Sequence, residues 1–436
     1  MRSGAVRGTG AALLVAGIIV LAFNMRAAIT SLPPLFPELH GALHLSSASQ
    51  AVLAAIPVLC FGLFSGIAAP LSRMFGEERV LGAALVLLAA GLLLRGVAPS
   101  ALLLAGTVLA GLAIALLNVL LPSLIKRRQP ERAGLLIGLY LMSLSAGAIV
   151  ASLIAVPVYQ AAGGTAAVRL TLGMWALPAL VAAAVWAPQL RYRTRPAAGP
   201  LEIAGPADPE PGTAGPGAAE TEAARPATRT RLIRTPLAWQ VTAFMGLQSL
   251  TYYSTLSWFP TIFRDRGVSA VHAGTLLAVM NLGNAVTALL IPVLAHRRPD
   301  QRLRAVAANL AAAAGLALAV YGPLGGAAPF IFLLGLGEGA TLGLGIFFTM
   351  ARSPDPVTAA SLSAFSQSIG YLLASLGPLL LGLLHTATGG WNVPVWALLG
   401  IVALQLAAGW MAGRDVTVPR LVRPAGGASR GARVSR

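Results

Sequence analysis

The sequence predicts an all-α integral membrane protein of twelve transmembrane helices, arranged as two pseudo-symmetric six-helix bundles. Three observations carry this reading. The 436 residues are 56% hydrophobic and only 10% charged, with a mean hydropathy of +0.77, whereas soluble domains hold about a quarter charged residues. Polar breaks divide the chain into twelve apolar runs long enough to cross a bilayer, which takes roughly 20 residues. The runs fall six on each side of a segment of different character.

Taken in order, the runs occupy residues 10–36, 47–70, 80–96, 100–125, 133–159 and 170–188, then 237–262, 273–295, 305–323, 328–351, 359–385 and 393–412. The first follows Arg2 and Arg7 as a signal peptide would. It is too long for one, contains Arg26 and runs into Pro33 and Pro34 rather than a small-residue cleavage site, so it is expected to be retained. The segment 189–236 is centred on Pro196 to Pro226, which is rich in Ala, Gly, Pro and Glu and almost free of large apolar residues. Such a composition cannot bury enough surface to fold. The expected organisation is an N-terminal bundle 1–188, a flexible cytoplasmic linker 189–236, a C-terminal bundle 237–412 and a disordered cytoplasmic tail 413–436.

Charge sets the orientation. With the N-terminus inside, the outer loops hold only Arg95, Arg169, Arg264 and Arg266. Apart from Arg26, every other Lys and Arg falls on the inner side, so both termini are expected in the cytoplasm. The net charge of +17 does not indicate nucleic acid, because the basic residues sit in short loops rather than in a stripe interleaved with aromatics. The single cysteine, Cys60, excludes an internal disulfide framework or a thiolate metal site. No His/Cys cluster, H-E-x-x-H or P-loop is present, so no metal, no cofactor, no ATP-driven pump and no enzyme is expected.

The two halves resemble each other. Aligning Pro37 with Pro260 brings Leu45 onto Val268 and, with one deletion, Pro70 onto Pro292. Further on, Gly111 matches Gly337, Lys126 matches Arg352 and Pro130 matches Pro356. Arg26 then aligns near Ser249 and Glu338 aligns with Leu112, so the repeated scaffold demands neither charge.

Arg26 lies well inside the first span, where a charge is rare unless it faces a partner or a water-filled cavity. It either snorkels or pairs for structural reasons, or it lines a solute pathway. Glu338 sits mid-span in Gly335-Leu-Gly337-Glu338-Gly339-Ala-Thr-Leu-Gly343-Leu-Gly345, where glycines permit close helix approach. Desolvation and a nearby arginine act in opposite senses on such a carboxyl. Glu338 is therefore a proton-coupling site or a counter-ion for Arg26. In the seventh span, Gln248, Tyr252, Thr255 and Phe259 share one helical face. Gln248 and Tyr252 are binding candidates, and Trp258 reads as an interfacial anchor. Asn118, Tyr140, Asn281, Asn284 and Gln367 are polar groups at depth that either line a cavity or bond across helices. Asn24, two residues from Arg26, points elsewhere on the helix.

Twelve spans in two halves, with a basic loop after the second span and a long central linker, resemble the major facilitator superfamily. Within it, Asn24-Met-Arg26-x-x-x-Thr30-Ser31, Ile56-Pro57-Val-Leu-Cys60-Phe-Gly62 and Ala69-Pro70-Leu-Ser-Arg73-Met-Phe-Gly76-Glu-Glu-Arg79 look like the cyanate and 2-nitroimidazole transporter family. So do Tyr252-Tyr253…Trp258-Phe259-Pro260 and Gly267-Val-Ser-x-x-x-Ala273-Gly274. The resemblance implies the major facilitator fold, with the first, fourth, seventh and tenth helices around a central cavity and Arg26 facing Glu338 across it. It implies a secondary transporter of a small anionic or polar planar solute, with a proton as the second partner. Arg73, Gly76 and Arg79 would form a cytoplasmic gate and topology loop, although Ser72 stands where the superfamily usually has an acidic residue. The expected setting is the cytoplasmic membrane of a bacterium, with the protein monomeric and the lipid bilayer its other partner. Proton-antiport efflux of drugs or metabolites, and a non-transporting membrane sensor, are the competing functions. The linker and tail look too disordered to be a sensor's output domain.

Overall fold

The computed structural model describes residues 2–97, 100–163, 166–192, 194, 232–295 and 298–419. Among the described residues every regular element is a helix. α1 (Arg2–Thr30) passes through a 3-10 turn at Pro33–Leu35 into α2 (Phe36–Leu43). There Pro33 and Pro34, which lack an N–H, break the α pattern. α3 (Ser47–Phe64) is capped by Ser46, whose hydroxyl accepts the Ser49 N–H, and continues through Ser65–Ile67 into α4 (Ala68–Phe75). α5 (Glu77–Arg95), α6 (Ser100–Arg128) and α7 (Ala133–Ala162) follow. α8 (Ala166–Gly173), α9 (Ala176–Trp186) and a 3-10 turn at Ala187–Arg191 close the first half. The second half holds α10 (Pro236–Asp265), α11 (Ala270–Ala295), α12 (Arg302–Tyr321), α13 (Ala327–Ala351), α14 (Pro356–Thr388) and α15 (Asn392–Ala412).

Each expected span lies on these helices. Among the described residues 10 helical segments are both long and apolar enough to cross a membrane. α5 and α10 are not among them, for a physical reason. α5 has 19 residues, about 28 Å at the α-helical rise, but opens with Glu77, Glu78 and Arg79 and ends on Arg95. α10 has 30 residues and carries Gln248, Ser249, Thr251, Tyr252, Tyr253, Ser254, Thr255 and Ser257, all buried. A helix enclosed by other helices need not present an apolar face to lipid.

The domain limits need two corrections. Gln189–Arg191 belong to the closing turn rather than to the linker, and Gln189 is buried and accepts a 3.0 Å hydrogen bond from Arg128. The Glu77 N–H donates to the Thr194 carbonyl at 2.9 Å, and the Thr194 N–H to the Glu78 carboxylate at 2.8 Å, so the packed half reaches Thr194. The tail is also ordered at its start. The Val418 N–H donates to the Arg352 carbonyl at 2.8 Å and the Val418 side chain is buried. The bulk of the expected linker, 193 and 195–231, and the tail from 420 to 436 lie outside the described residues.

Loop charges tie helix ends together within each half. Glu77 is fully buried, accepting from Ser123 at 3.1 Å and pairing with Arg127. Glu78, also fully buried, pairs with Arg128 at 3.7 Å. In the second half the buried Arg352 donates to the carbonyls of Ala412 (2.9 Å), Pro299 (3.0 Å) and Gly413 (3.1 Å). Lys126, the expected match for Arg352, is exposed, and its neighbours Arg127 and Arg128 make the equivalent ties. In the expected gate loop, Gly76 turns α4 into α5 at φ 89°, a conformation that favours glycine. Arg73 and Arg79 make no hydrogen bond or ion pair among the described residues, so Arg127 and Arg128 do the bracing there.

The halves meet where α3 packs on α14 and α7 on α11, and within the second half α11 packs closely on α13. A Cβ at Gly335 would overlap the Met280 carbonyl oxygen, and one at Gly339 that of Asn284. Gly335→Val should force α11 and α13 apart and cost about 1–3 kcal/mol of stability. Thermal unfolding of the detergent-purified protein is the check, and an unchanged midpoint would refute the close-packing account.

Candidate functional site

α1 carries Arg26 near the middle of the continuous segment Leu13–Leu43. Its side chain is half-buried and reaches α10, donating to the Tyr253 hydroxyl at 3.3 Å. The guanidinium carbon lies 5.2 Å from the Tyr252 ring centroid and 5.9 Å from that of Tyr253. Phe61 of α3 stands edge-on to Tyr253 (6.4 Å) and to Tyr371 of α14 (5.6 Å). Tyr140 of α7 and Tyr371 are within electrostatic reach of Arg26. Tyr252 and Tyr253 thus flank one guanidinium. A cation over aromatic faces gains about 0.5–2 kcal/mol. Among the described residues no carboxylate forms an ion pair with Arg26.

Glu338 on α13 is buried, and its Oε1 accepts the Thr255 hydroxyl at 2.6 Å. Its Oε2 has no hydrogen-bond partner among the described residues. Glu338 therefore does not act as the ionic partner of Arg26 in this structure, which corrects the counter-ion expectation. Tyr252 stands between them, with its ring beside Arg26 and its carbonyl accepting from Thr255 at 2.9 Å. Its hydroxyl donates to Asn281 Oδ1 on α11 at 3.1 Å. Asn284, one turn further along α11, is buried with Nδ2 unpartnered.

The remaining candidates divide. Tyr140 donates to Asn118 at 3.0 Å, joining α7 to α6 beside the site. Gln248 is buried but bonds within its own helix, to Ser249 at 2.7 Å, and so does not join the cluster. Gln367 is exposed and bonds to Ser363 one turn away. Asn24 turns to α9, donating to the Pro178 carbonyl at 3.1 Å. Trp258, expected as an interfacial anchor, is 1% exposed, donates to the Pro378 carbonyl at 2.9 Å and packs 5.7 Å from Phe36. It is part of the interior because α14 and the Pro33–Leu35 turn cover it. The sequence reading passed over Tyr371 and Phe61 as site residues. Tyr371 lies one turn beyond Gln367 on α14, which is a usable signal; Phe61 has none beyond its neighbours.

Between Arg26 and the Pro33–Leu35 turn the structure is closed. The space between Ile29, Phe36, Arg95, Tyr253 and Ser257 amounts to about 10 Å³, room for roughly one water. Arg95 is buried there and donates to the Ala28 carbonyl (2.6 Å) and Thr107 (3.1 Å). Beyond it, Glu38 of α2 pairs with Arg264 at the end of α10, tying one half to the other.

Comparison with known proteins agrees with this architecture. Residues 14–378 match the model of the Major Facilitator Superfamily. The chain is 36% identical over 413 residues to the 2-nitroimidazole transporter of Escherichia coli (strain K12), covering 95% of this chain and 98% of that protein. It is 30% identical over 396 residues to the cyanate transport protein CynX of the same strain, covering 89% and 95%. Among solved structures, a bacterial homologue of the human lysosomal transporter Spinster superposes with a TM-score of 0.74 at 17% identity, covering 93% of this chain and 97% of that one. The chain belongs to the major facilitator superfamily and is a multi-pass membrane transporter. Within the superfamily it is similar to the cyanate and 2-nitroimidazole transport proteins.

Thr255→Val should leave the Glu338 carboxyl without its one protein donor and cost about 1–3 kcal/mol. In a Glu338→Leu background the same change should cost much less, because the two residues share one interaction. Chemical or thermal unfolding of the four proteins closes that cycle; equal costs in both backgrounds would disprove the coupling.

Proposed function

We propose that this protein is a secondary active transporter that moves a small anionic or polar planar solute, cyanate-like or nitroimidazole-like, across the cytoplasmic membrane of a bacterium. The single observation that carries the reading is Arg26, a cation in the middle of the first span with tyrosines for neighbours and, among the described residues, no carboxylate paired to it. A fork of guanidinium donors suits a planar or carboxylate-like acceptor, and the surrounding aromatic faces suit a flat solute. Of the two relatives, the one named for 2-nitroimidazole has the flatter and larger substrate. The aromatic setting therefore favours a planar heterocycle over a linear anion.

Transport proceeds by alternating access, the halves 1–188 and 237–412 rocking about a site near the bilayer midplane. The Glu38–Arg264 pair and the Phe36–Trp258 contact close the outer side and part when the cavity opens outward. Glu338 carries the coupling proton. Its unpartnered oxygen supports that role, because a buried carboxyl without a fixed cation can exchange protons as the cavity changes its exposure. The protein works as a monomer with both termini in the cytoplasm, as the concentration of basic residues in the inner loops supports.

Two measurements test this. Arg26→Gln should weaken ligand binding at least tenfold, the loss of one or two charge-assisted hydrogen bonds, without lowering the ligand-free melting temperature by more than a few degrees. Ligand-induced melting shifts with cyanate and 2-nitroimidazole read this directly; undiminished shifts in the mutant would remove Arg26 from the site. Glu338→Gln should retain exchange of bound substrate across proteoliposomes but lose accumulation driven by a pH gradient. Accumulation that persists under ΔpH alone would eliminate the proton role.

A further inference from the structure

A surface cavity of about 470 Å³ opens where α12 begins and α15 ends, far along the chain from the tyrosine-lined site. Arg298, Arg302 and Arg304 line it together with Trp410, Leu303 and one acidic residue, Asp300. Asp300 is already engaged: its Oδ1 accepts the Arg302 N–H at 2.9 Å and its Oδ2 lies 3.7 Å from Arg302 Nε. Three guanidinium groups therefore face one committed carboxylate, and the cavity keeps an excess of positive charge. Arg298 is exposed and its guanidinium has no partner among the described residues, and Arg302 Nε is a buried donor without a hydrogen bond. The Arg302 guanidinium lies 5.2 Å from the Trp410 ring centroid, so the aromatic wall and the charge are held in register.

The loop beneath is rigidly braced. The Gln301 N–H donates to the Gly413 carbonyl at 2.9 Å, and the Gln301 side chain to the Ala295 carbonyl at 2.7 Å. Arg352 holds the Pro299 and Gly413 carbonyls from the interior. This fixes the guanidinium-bearing turn against the end of α15 and makes the cavity a preformed feature.

The walls also identify the ligand. Leu303 is 74% exposed and Trp410 43%, so a large aliphatic and a large aromatic surface flank the basic mouth. A soluble phosphate needs the arginines but not that apolar margin. A phospholipid needs both: a phosphate for the guanidinium groups, an interfacial indole at headgroup depth and apolar surface for the start of the acyl chains. Basic pockets between transmembrane helices are the recognised setting for anionic headgroups. We infer that this cavity is a binding site for the headgroup of an anionic phospholipid, held by Arg298, Arg302 and Trp410. The lipid would secure the start of α12 to the end of α15 at the membrane surface.

The test uses the full-length protein in nanodiscs of phosphatidylcholine titrated with phosphatidylglycerol brominated on its acyl chains. Trp410 should be quenched saturably, with a Trp410→Phe protein giving the background from the other six tryptophans. Brominated phosphatidylcholine at the same density should quench it far less. Arg298→Gln should weaken the phosphatidylglycerol effect about fivefold and Arg298→Gln/Arg302→Gln about thirtyfold, taking roughly 1 kcal/mol per arginine near an anionic surface. Arg298 has no guanidinium partner to lose among the described residues, so the single variant tests the site even if the double variant fails to fold. Equal quenching by the two lipids, or undiminished binding in Arg298→Gln, would overturn the inference. So would complete displacement by millimolar inorganic phosphate, which would identify a site for a soluble anion.

Discussion

The arrangement of this protein depends on keeping one guanidinium group in the middle of a membrane-spanning helix. A charge at that depth is unfavourable by several kcal/mol unless the protein supplies a polar or polarisable environment. Here that environment is aromatic rather than ionic. Tyr253 gives Arg26 one hydrogen bond and Tyr252 gives it a π face, both from the opposite half of the molecule. The same contact that makes Arg26 tolerable therefore joins the two halves at the centre of the fold. Because tyrosines do not neutralise the charge, Arg26 keeps an electrostatic appetite that a pairing carboxylate would have removed. This is the physical basis of the proposal that the site receives an anionic or polar planar solute.

The polar chain beyond Tyr252 follows from the same constraint. In hydrocarbon, polar side chains must find partners inside the protein, and α10 is the helix that carries most of them. Tyr252 reaches Asn281 on α11, and Thr255 reaches Glu338 on α13. Alongside them, Gly335 and Gly339 let α13 settle against the backbone of α11. The carboxyl of Glu338 lies 2.6 Å from one hydroxyl, and its second oxygen has no hydrogen-bond partner among the described residues.

At the helix ends a different economy operates. Glu77 and Glu78 in one half and Arg352 in the other are buried charges that bind loop to helix, and their partners come from two different segments in each case. These ties stiffen each half as a body. Across the halves, the Glu38–Arg264 ion pair stands near the Phe36–Trp258 ring contact, a sparser connection than the ties within each half.

The sequence by itself determined the class of fold, the approximate positions of the helices and the two charges, Arg26 and Glu338, that lie within them. Hydropathy and the positions of charges are local properties, and a bilayer translates them almost directly into helices and loops. It also turned Asn24 away from Arg26, since helical periodicity decides which residues share a face. The tertiary structure alone decided what surrounds Arg26, because Phe61, Tyr253 and Tyr371 come from three helices whose mutual rotation no single stretch encodes. It also separated Glu338 from Arg26, sent Gln248 and Gln367 to partners on their own helices, buried Trp258 and packed Gln189 and Val418 at ends that composition alone made look loose. In each case the deciding quantity was a distance between segments remote in the chain, set by how closely helices pack.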